Sequence, residues 1–310
     1  MTPEPLRPIR RRTESFVFLD GPQPTFEEST VEIATGLALY QVNAPFLENL
    51  AKKGVGDVAA VADGCATCIH GTGTDSTADL LRPGAFHDAL ILATDVRARE
   101  HGHIIRDIDP PWTMTASVVP EQGTVLWGHF RRDLSLDDVE KATQLLPHIE
   151  QYQTTEKFSR VGNALLFYNN GYNSNNPDLA LMAFATCLES LFSTVEQELS
   201  FRLALRVATF LADENAEREE LFEEARELYR IRSKVVHGAA IHKNRETAAI
   251  RLVEGIVPQA ERLARKCLAR VFELSIEAIF EQSDKLNALF DKLLFRGPLA
   301  SILADQSGVA

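Results

Sequence analysis

The two halves of this 310-residue chain differ in the spacing of their apolar residues. From Ser135 onward the apolar positions repeat with the period of an amphipathic helix. Residues 13–132 instead contain most of the glycine, proline and threonine, together with short β-type runs. The pattern predicts an α+β domain followed by an all-α helical bundle. We place a flexible arm at 1–12, the α+β domain at 13–133, the helical domain at 134–296 and a loosely held tail at 297–310.

The N-terminal half has short runs of β-forming residues and two segments with a helical pattern. The predicted strands are Ser15–Leu19, Thr30–Tyr40 and a hairpin of Trp112–Val119 with Thr124–Phe130. The predicted helices are Ala44–Lys53 and Ala85–Glu100, and in the second of these Ala89–Thr94 fits a buried strand equally well.

Capping residues and helix breakers divide the C-terminal half into helices. Ser135 and Asn176 are typical N-cap residues, and Gly238 is a typical C′ residue, which ends a helix in the left-handed conformation. The predicted helices run from Ser135 to about Asn170 as one helix or a pair, from Pro177, from about Ser200, from about Ala216 to Val236, from Thr247 to about Phe280 with a kink or break near Pro258, and onward to about Phe295.

The composition limits the function classes that fit the chain. A net charge of −12 argues against general coating of DNA, although a small RNA site with a local basic patch remains compatible with it. No apolar run is long enough to cross a membrane, and the N-terminus does not resemble a secretory signal, so we expect a cytoplasmic protein. Arg10, Arg11 and Arg12 could contact phosphate, but a solvated tail is the preferred interpretation.

Position 232 breaks the apolar pattern of the helix that ends at Gly238. Arg232 lies four residues after Leu228 and three before Val235, which places it on the core-facing stripe. A guanidinium there is costly unless it is paired or lies in a cleft. His237 follows five residues later, where the helix dipole stabilises a protonated imidazole. An ideal helix separates the two side chains by roughly 140°, so an unwound last turn would be needed to direct His237 towards Arg232.

These residues carry a resemblance to a known family. Tyr229–Gly238 reads YRIRSKVVHG, which resembles the signature of the HEPN superfamily, an arginine followed by four to six residues and a histidine. Its Arg-Ser and Val-His-Gly segments resemble those of the ApeA-like branch of that superfamily. Ala185–Phe192 and Ala204–Leu211 are similar to the segments that precede the motif in this branch. The resemblance covers about residues 155–280.

The resemblance implies a fold and an activity. HEPN domains are bundles of four or five helices that usually form homodimers, and many are metal-independent endoribonucleases of toxin–antitoxin or anti-phage systems. His237 would act as general acid or base at the ribose 2′-OH, and Arg232 would bind the scissile phosphate. Ser233 would position the RNA or the histidine, and Glu189 would orient Arg232. The motifs of two protomers would face each other, without a cofactor, and an antitoxin or regulatory protein would be a further partner.

The basic residues around the motif are candidates for RNA binding, above all Arg230 and Lys234. Residues 226–245 contain one acidic residue, Glu227, against the basic residues Arg226, Arg230, Arg232, Lys234, Lys243 and Arg245, with His237 and His242. An alternative interpretation needs no ligand, because acidic residues early in a helix and basic residues late in it also suit the helix dipole.

A second function class also fits the motif. Arg232 would then form a structural ion pair with Glu189, and His237 would be a helix-capping residue. The helical half would be a non-catalytic HEPN module that dimerises and binds a partner protein or a nucleotide.

Cys65, Cys68 and His70 form a weaker constellation. Two thiolates at this spacing can bind zinc, but the site would need a further ligand such as His87, His101 or His103. We interpret the pair as free loop thiols, with zinc binding or a redox role as alternatives, and Cys187 and Cys267 as buried thiols. The segment of residues 71–74, Gly-Thr-Gly-Thr, lacks the lysine of a phosphate-binding loop and is read as a turn.

Overall fold

The computed structural model describes residues 12–55, 58–73, 77–96, 98–109, 113–118, 130–153, 159–194, 199–241 and 244–295, together with Leu299 and Ile302. These residues form two compact units, one between 12 and 153 and one from 159 onward. An antiparallel sheet dominates the first unit and helices form the second, which confirms the predicted order of an α+β half and a helical half. Within the described ranges, no helix is both long and apolar enough to cross a membrane.

The first unit contains a six-stranded sheet in which all neighbouring strands are antiparallel. Its strands are β1 (Thr13–Asp20), β3 (Thr30–Ala34), β4 (Leu37–Gln41), β5 (Thr67–Gly73), β6 (Arg99–Asp107) and β7 (Met114–Val118). The order across the sheet is β3-β4-β5-β1-β6-β7. A separate parallel pair consists of β2 (Gln23–Pro24) and β8 (Asp133–Leu134). Strand β1 lies between β5 and β6, and all of its residues except Asp20 are buried.

Helices cover both faces of this sheet. The first face carries Phe16 and Phe18, which pack with residues of α1 (Ala44–Lys52) and α2 (Val58–Val61). The opposite face packs on α3 (Thr77–Ala93). Gly71 permits this contact, since a Cβ atom at position 71 would lie 2.7 Å from the ring of Pro83.

The helix α4 (Leu136–Gln153) belongs to the first unit because it packs on α3. The sequence pattern assigned this helix to the helical domain, whose boundary was predicted at 134. The N-cap prediction is confirmed: the Ser135 hydroxyl accepts from the backbone N–H of Asp138, and the Asp138 carboxylate accepts from the N–H of Ser135. Arg131 further binds both Asp95 and Asp138.

Several predictions for the first half are confirmed and others are wrong. Strand β1 and helix α1 lie where they were expected, and the run from Thr30 to Tyr40 is a hairpin that turns at Gly36, which has a φ of +74°. The helix predicted to reach Glu100 ends at Ala93, and a strand begins at Arg99. The proposed turn at 71–74 is wrong for its first three residues, which lie in β5.

The terminal predictions are tested in part. The guanidinium and the backbone N–H of Arg12 donate to Asp109, so Arg12 is not part of a free arm. Most of the predicted hairpin lies outside the described residues, and so does the predicted arm apart from Arg12. The ranges concerned are residues 1–11, Trp112 and 119–129. In the tail that was predicted to be loosely held, Leu299 and Ile302 are buried.

The second unit consists of helices packed around a central one. They are α5 (Arg160–Tyr172), α6 (Pro177–Phe192), α7 (Leu199–Leu211), α8 (Asn215–Val236), α9 (Arg245–Ile250), a π-helical segment (Arg251–Ile256), α10 (Val257–Glu273), α11 (Glu277–Phe280) and α12 (Ser283–Phe295). Helix α6 contacts α5, α7, α8 and α10, and its Phe184, Leu188 and Phe192 are buried in the core.

The helix boundaries follow the predicted caps and depart from prediction after residue 273. The side chain of Asn176 accepts from the N–H groups of Asp178 and Leu179, as expected of an N-cap. The predicted break near Pro258 is confirmed, because the π-helical segment ends there and Pro258 occupies the first turn of α10. The helix predicted to reach Phe280 ends at Glu273. The buried thiols Cys187 and Cys267 lie in α6 and α10 as expected.

Candidate active site

Helix α8 is fixed against α6 at Tyr229, about one turn before Arg232. The buried hydroxyl of Tyr229 donates to the carbonyl of Ala185 at 3.0 Å, and burial raises the pKa of this phenol well above its usual range. Leu228 and Ile231 on either side are fully buried. The position of α8 along α6 is therefore set by packing and by one specific hydrogen bond.

The end of α8 is fixed by a Schellman motif. Gly238 has a φ of +64°, its N–H donates to the carbonyl of Val235 at 3.1 Å, and the N–H of Ala239 donates to Lys234 at 2.8 Å. The predicted C′ role of Gly238 is thus confirmed. A side chain at this position would strain the backbone, because L-residues with a Cβ atom rarely adopt a positive φ.

His237 stays on the helical path. Its N–H donates to the carbonyl of Ser233 at 3.1 Å, so the last turn of α8 is intact, and the unwinding that would direct His237 towards Arg232 does not occur. The side chain of His237 is exposed. An intact turn keeps it roughly 140° around the axis from Arg232, so the two residues leave α8 on different faces. Among the contacts of the described residues, none joins Arg232 to His237.

Arg232 is half-buried and lies against Glu189 of α6. Its Nη2 atom is 3.4 Å from Oε1 and 3.5 Å from Oε2, at the long end of the ion-pair range. The side chains are 29% and 20% exposed. Nε of Arg232 and Oε1 of Glu189 are both buried without a hydrogen-bond partner among the described residues. Burial raises the pKa of Glu189, although the charge of Arg232 acts in the opposite direction. The pair is loose and leaves hydrogen-bonding capacity for a further group.

We expect Glu189→Gln to leave the protein as stable as the wild type at neutral pH, or more stable by about 1 kcal/mol or less. The raised pKa means that the desolvation of the ionised carboxylate is larger in free energy than its attraction to Arg232. The unmutated protein therefore gains stability as the pH falls through the pKa of Glu189 in the folded state. Urea unfolding of both proteins at pH 7 and pH 5 measures this difference. A loss of several kcal/mol in the variant at pH 7 would show instead that the pair is a stabilising structural contact.

Arg230 and Lys234 occupy the face of α8 that continues to His237. Nε and Nη2 of Arg230 donate to the two carboxylate oxygens of Glu227 at 2.6 and 2.7 Å. Nη2 of Arg251, from the π-helical segment, donates to Oε1 of the same carboxylate at 2.5 Å. The two guanidiniums lower the pKa of Glu227, Arg230 having the larger effect, so its carboxylate stays ionised. His242 and Lys243, which complete the basic stretch, lie outside the described residues.

The structure places the cysteine pair in the first unit and buries it. Cys65 precedes β5, and Cys68 lies within β5 and is fully buried, so the prediction of loop thiols is wrong for Cys68. Burial raises the pKa of Cys65 to about 12 and that of Cys68 well above its usual range, which disfavours the thiolates that zinc binding and redox chemistry require. His70 stacks on Phe16 with ring centroids 4.5 Å apart. Among the described residues, no three metal-ligating side chains come together.

Two clusters were not predicted from the sequence. One is the contact of Arg251 with Glu227, since Arg251 lies 24 residues away in the chain and no local pattern marks it. The other is a buried group in the sheet, in which Glu14 binds Arg106 at 2.6 Å and lies 3.7 Å from the imidazole of His70. The only signal for it was a charged residue, Glu14, directly before the predicted strand Ser15–Leu19.

Comparison of the whole chain with models of protein families, with curated proteins and with solved structures gives no match.

Proposed function

We propose that the helical unit is a HEPN-type domain and that the protein is a metal-independent endoribonuclease that works as a homodimer. The observation that carries the proposal is the end of α8. An exposed histidine is held there by a rigid cap, on the face of α8 that also carries Lys234 and, two turns earlier, Arg230, in a chain with a net charge of −12. A local excess of cations in an acidic protein is a favourable place for a polyanion.

The proposed reaction needs side chains of this protein and water. A base removes the proton of the ribose 2′-OH, the 2′-oxygen bonds to phosphorus, and the 5′-oxygen of the next nucleotide leaves with a proton from an acid. His237 performs one of these proton transfers, and a water molecule performs the other. Arg232 donates hydrogen bonds to the non-bridging oxygens, where charge increases in the transition state. The products are a 2′,3′-cyclic phosphate and a 5′-hydroxyl.

The faces of α8 favour a site built from two copies of the chain. His237 and Arg232 start from different faces of α8, and Nε of Arg232 and Oε1 of Glu189 are buried without a hydrogen-bond partner in the part of the chain that the structure describes. A two-fold axis would allow His237 of one protomer to approach Arg232 of the other. In this arrangement Glu189 orients Arg232 and Ser233 contacts the RNA.

Cleavage of a mixed RNA pool in EDTA tests the proposal. We expect the wild-type protein to produce 2′,3′-cyclic phosphate ends, and His237→Ala to lose at least about 10²-fold in rate, because general acid–base catalysis contributes that much or more. His101→Ala, which changes a histidine of the first unit, serves as the control and should cut like the wild type. Equal cleavage by the His237 variant and the wild type would contradict the proposal.

The contact of Arg232 with Glu189 favours a second candidate function. An arginine held by a carboxylate is less available to a phosphate, and the helical unit would then be a non-catalytic HEPN module that binds a partner protein or a nucleotide. RNA left intact by the wild-type protein, together with tolerance of His237→Ala in a partner-binding assay, would favour this candidate.

A further inference from the structure

Three residues on the helical unit form a second cationic centre, two turns of α8 before His237. We propose that Arg230 and Arg251, held together by Glu227, bind a phosphate of single-stranded RNA that is not the one cut. We name these three residues the arginine clamp. The inference rests on the proposed function and adds to it the kind of substrate, an oligonucleotide that extends beyond the scissile bond.

The arginine clamp has a net positive charge and N–H donors that Glu227 does not use. Two guanidiniums share one carboxylate, which leaves one positive charge uncompensated. Each arginine has five N–H donors, and Glu227 takes two from Arg230 and one from Arg251. The remaining donors have no partner within the described ranges, and the side chains are 47% and 42% exposed. A phosphate could therefore bind both forks without displacing Glu227.

Glu227 holds the two cations in place before RNA arrives. Two guanidiniums repel each other, and the Nη2 atoms of both arginines converge on Oε1 of Glu227. Arg251 is further positioned by its π-helical segment, in which Leu252 and Ile256 are buried. Guanidinium groups that are already held in place lose less conformational entropy on binding a phosphate than freely rotating ones do. Glu227 is thus a positioning residue, while Arg230 and Arg251 contact the RNA.

The clamp lies on the same face of α8 as His237. Seven residues separate Arg230 from His237, which is close to two full turns and about 10 Å along the axis. Lys234 lies between them on this face, four residues after Arg230. A phosphate in the clamp is therefore too far from His237 to be the one that reacts, and an RNA strand along α8 would pass His237, Lys234 and the clamp in turn.

Arg251→Gln tests the clamp, with cleavage measured on two substrates. For a single strand of about twelve nucleotides we expect kcat/KM to fall roughly tenfold, whereas for a dinucleotide, which cannot reach the clamp, we expect no change. Binding of a 2′-O-methyl strand of the same length should show a slope of log K against log salt that is smaller by about 0.7, the value for one phosphate contact. Arg251→Lys keeps the positive charge but lacks the planar guanidinium group. Its kcat/KM on the twelve-nucleotide strand should lie between those of the wild type and Arg251→Gln.

Arg262→Gln is the matched control. Arg262 of α10 binds Glu224 of α8 at 2.5 Å in a similar interhelical pair that lies farther from His237. We expect Arg262→Gln to leave kcat/KM unchanged for both substrates and to leave the salt slope unchanged. If Arg251→Gln lowers kcat/KM equally for both substrates, or if the salt slope is unchanged in both Arg251 variants, the arginine clamp does not bind RNA. The proposed nuclease activity would not be contradicted by either result. A wild-type protein that binds no RNA would overturn the proposed function together with the clamp.

Discussion

Mixing two inactive variants, Arg232→Ala and His237→Ala, is expected to restore about a quarter of the wild-type cleavage rate. Half of randomly assembled dimers contain one copy of each variant, and a site shared between protomers is intact once in each of these dimers. The reason to expect a shared site is the intact last turn of α8, which keeps Arg232 and His237 on different faces of one helix.

The mixture is best made by co-expressing the two variants with different affinity tags, so that mixed dimers are isolated directly. Mixed dimers should then have about half the wild-type rate, since one of their two sites is intact. Dimers of two His237→Ala chains are the control and should remain inactive. If isolated mixed dimers do not cut RNA that the wild type cuts, both residues act within one chain, and α8 must rearrange when RNA binds.

The start of α6 and the end of α8 were predictable because each depends on a few neighbouring residues. Asn176 caps α6 through hydrogen bonds to residues two and three positions later. Gly238 ends α8 because its backbone adopts a positive φ that residues with a Cβ atom avoid. Such requirements depend on the local sequence alone. The contact of Arg232 with Glu189 spans 43 residues and was expected from the family resemblance instead.

Strand β5 was not predictable in this way. His70, Gly71 and Gly73 are weak strand formers, and their run suggested a turn. Pairing with β1 on one side and β4 on the other overrides that local preference. Gly71 is needed because the ring of Pro83 in α3 packs against it and leaves no room for a Cβ atom. The local sequence around Gly71 does not show this contact.

The missed clusters share a physical cause. Arg106 lies 92 residues from Glu14, and Arg251 lies 24 residues from Glu227. Ion pairs between distant segments depend on the register of packed elements, which hydrophobic periodicity leaves undetermined. In contrast, the violation of periodicity at Arg232 was visible, because a charge among apolar neighbours stands out within one helix.

The largest expected change in stability follows from the cluster in the sheet. Glu14 is a buried carboxylate that accepts from Nε and Nη2 of Arg106 at 2.8 and 2.6 Å, while Nη1 of Arg106 donates to the carbonyl of Lys53. Glu14→Gln keeps the shape and one acceptor, but it leaves the largely buried guanidinium without an opposing charge. We expect the first unit to lose about 3 kcal/mol of stability at pH 7.

The pH dependence distinguishes this loss from a packing defect. His70 and Arg106 lower the pKa of Glu14 from 4.5 to about 2, against the effect of burial. A lowered pKa means that the carboxylate stabilises the fold fully above pH 4.5, and that this contribution is lost as the pH falls from 4.5 to about 2. The difference between wild type and Glu14→Gln should therefore shrink through this window, whereas a packing defect would be the same at every pH.

Hydrogen-exchange mass spectrometry of peptides from β1 and β6, followed against urea at pH 7 and pH 3, reports on the first unit alone. Glu100→Gln is the control, because Glu100 binds His103 on β6 at 2.8 Å and both side chains are about one third exposed. An exposed pair of this kind contributes less than about 1 kcal/mol. If Glu14→Gln is no less stable than Glu100→Gln, the cost of burying Glu14 and Arg106 cancels their attraction, and the cluster must be retained in the sheet for a reason other than stability.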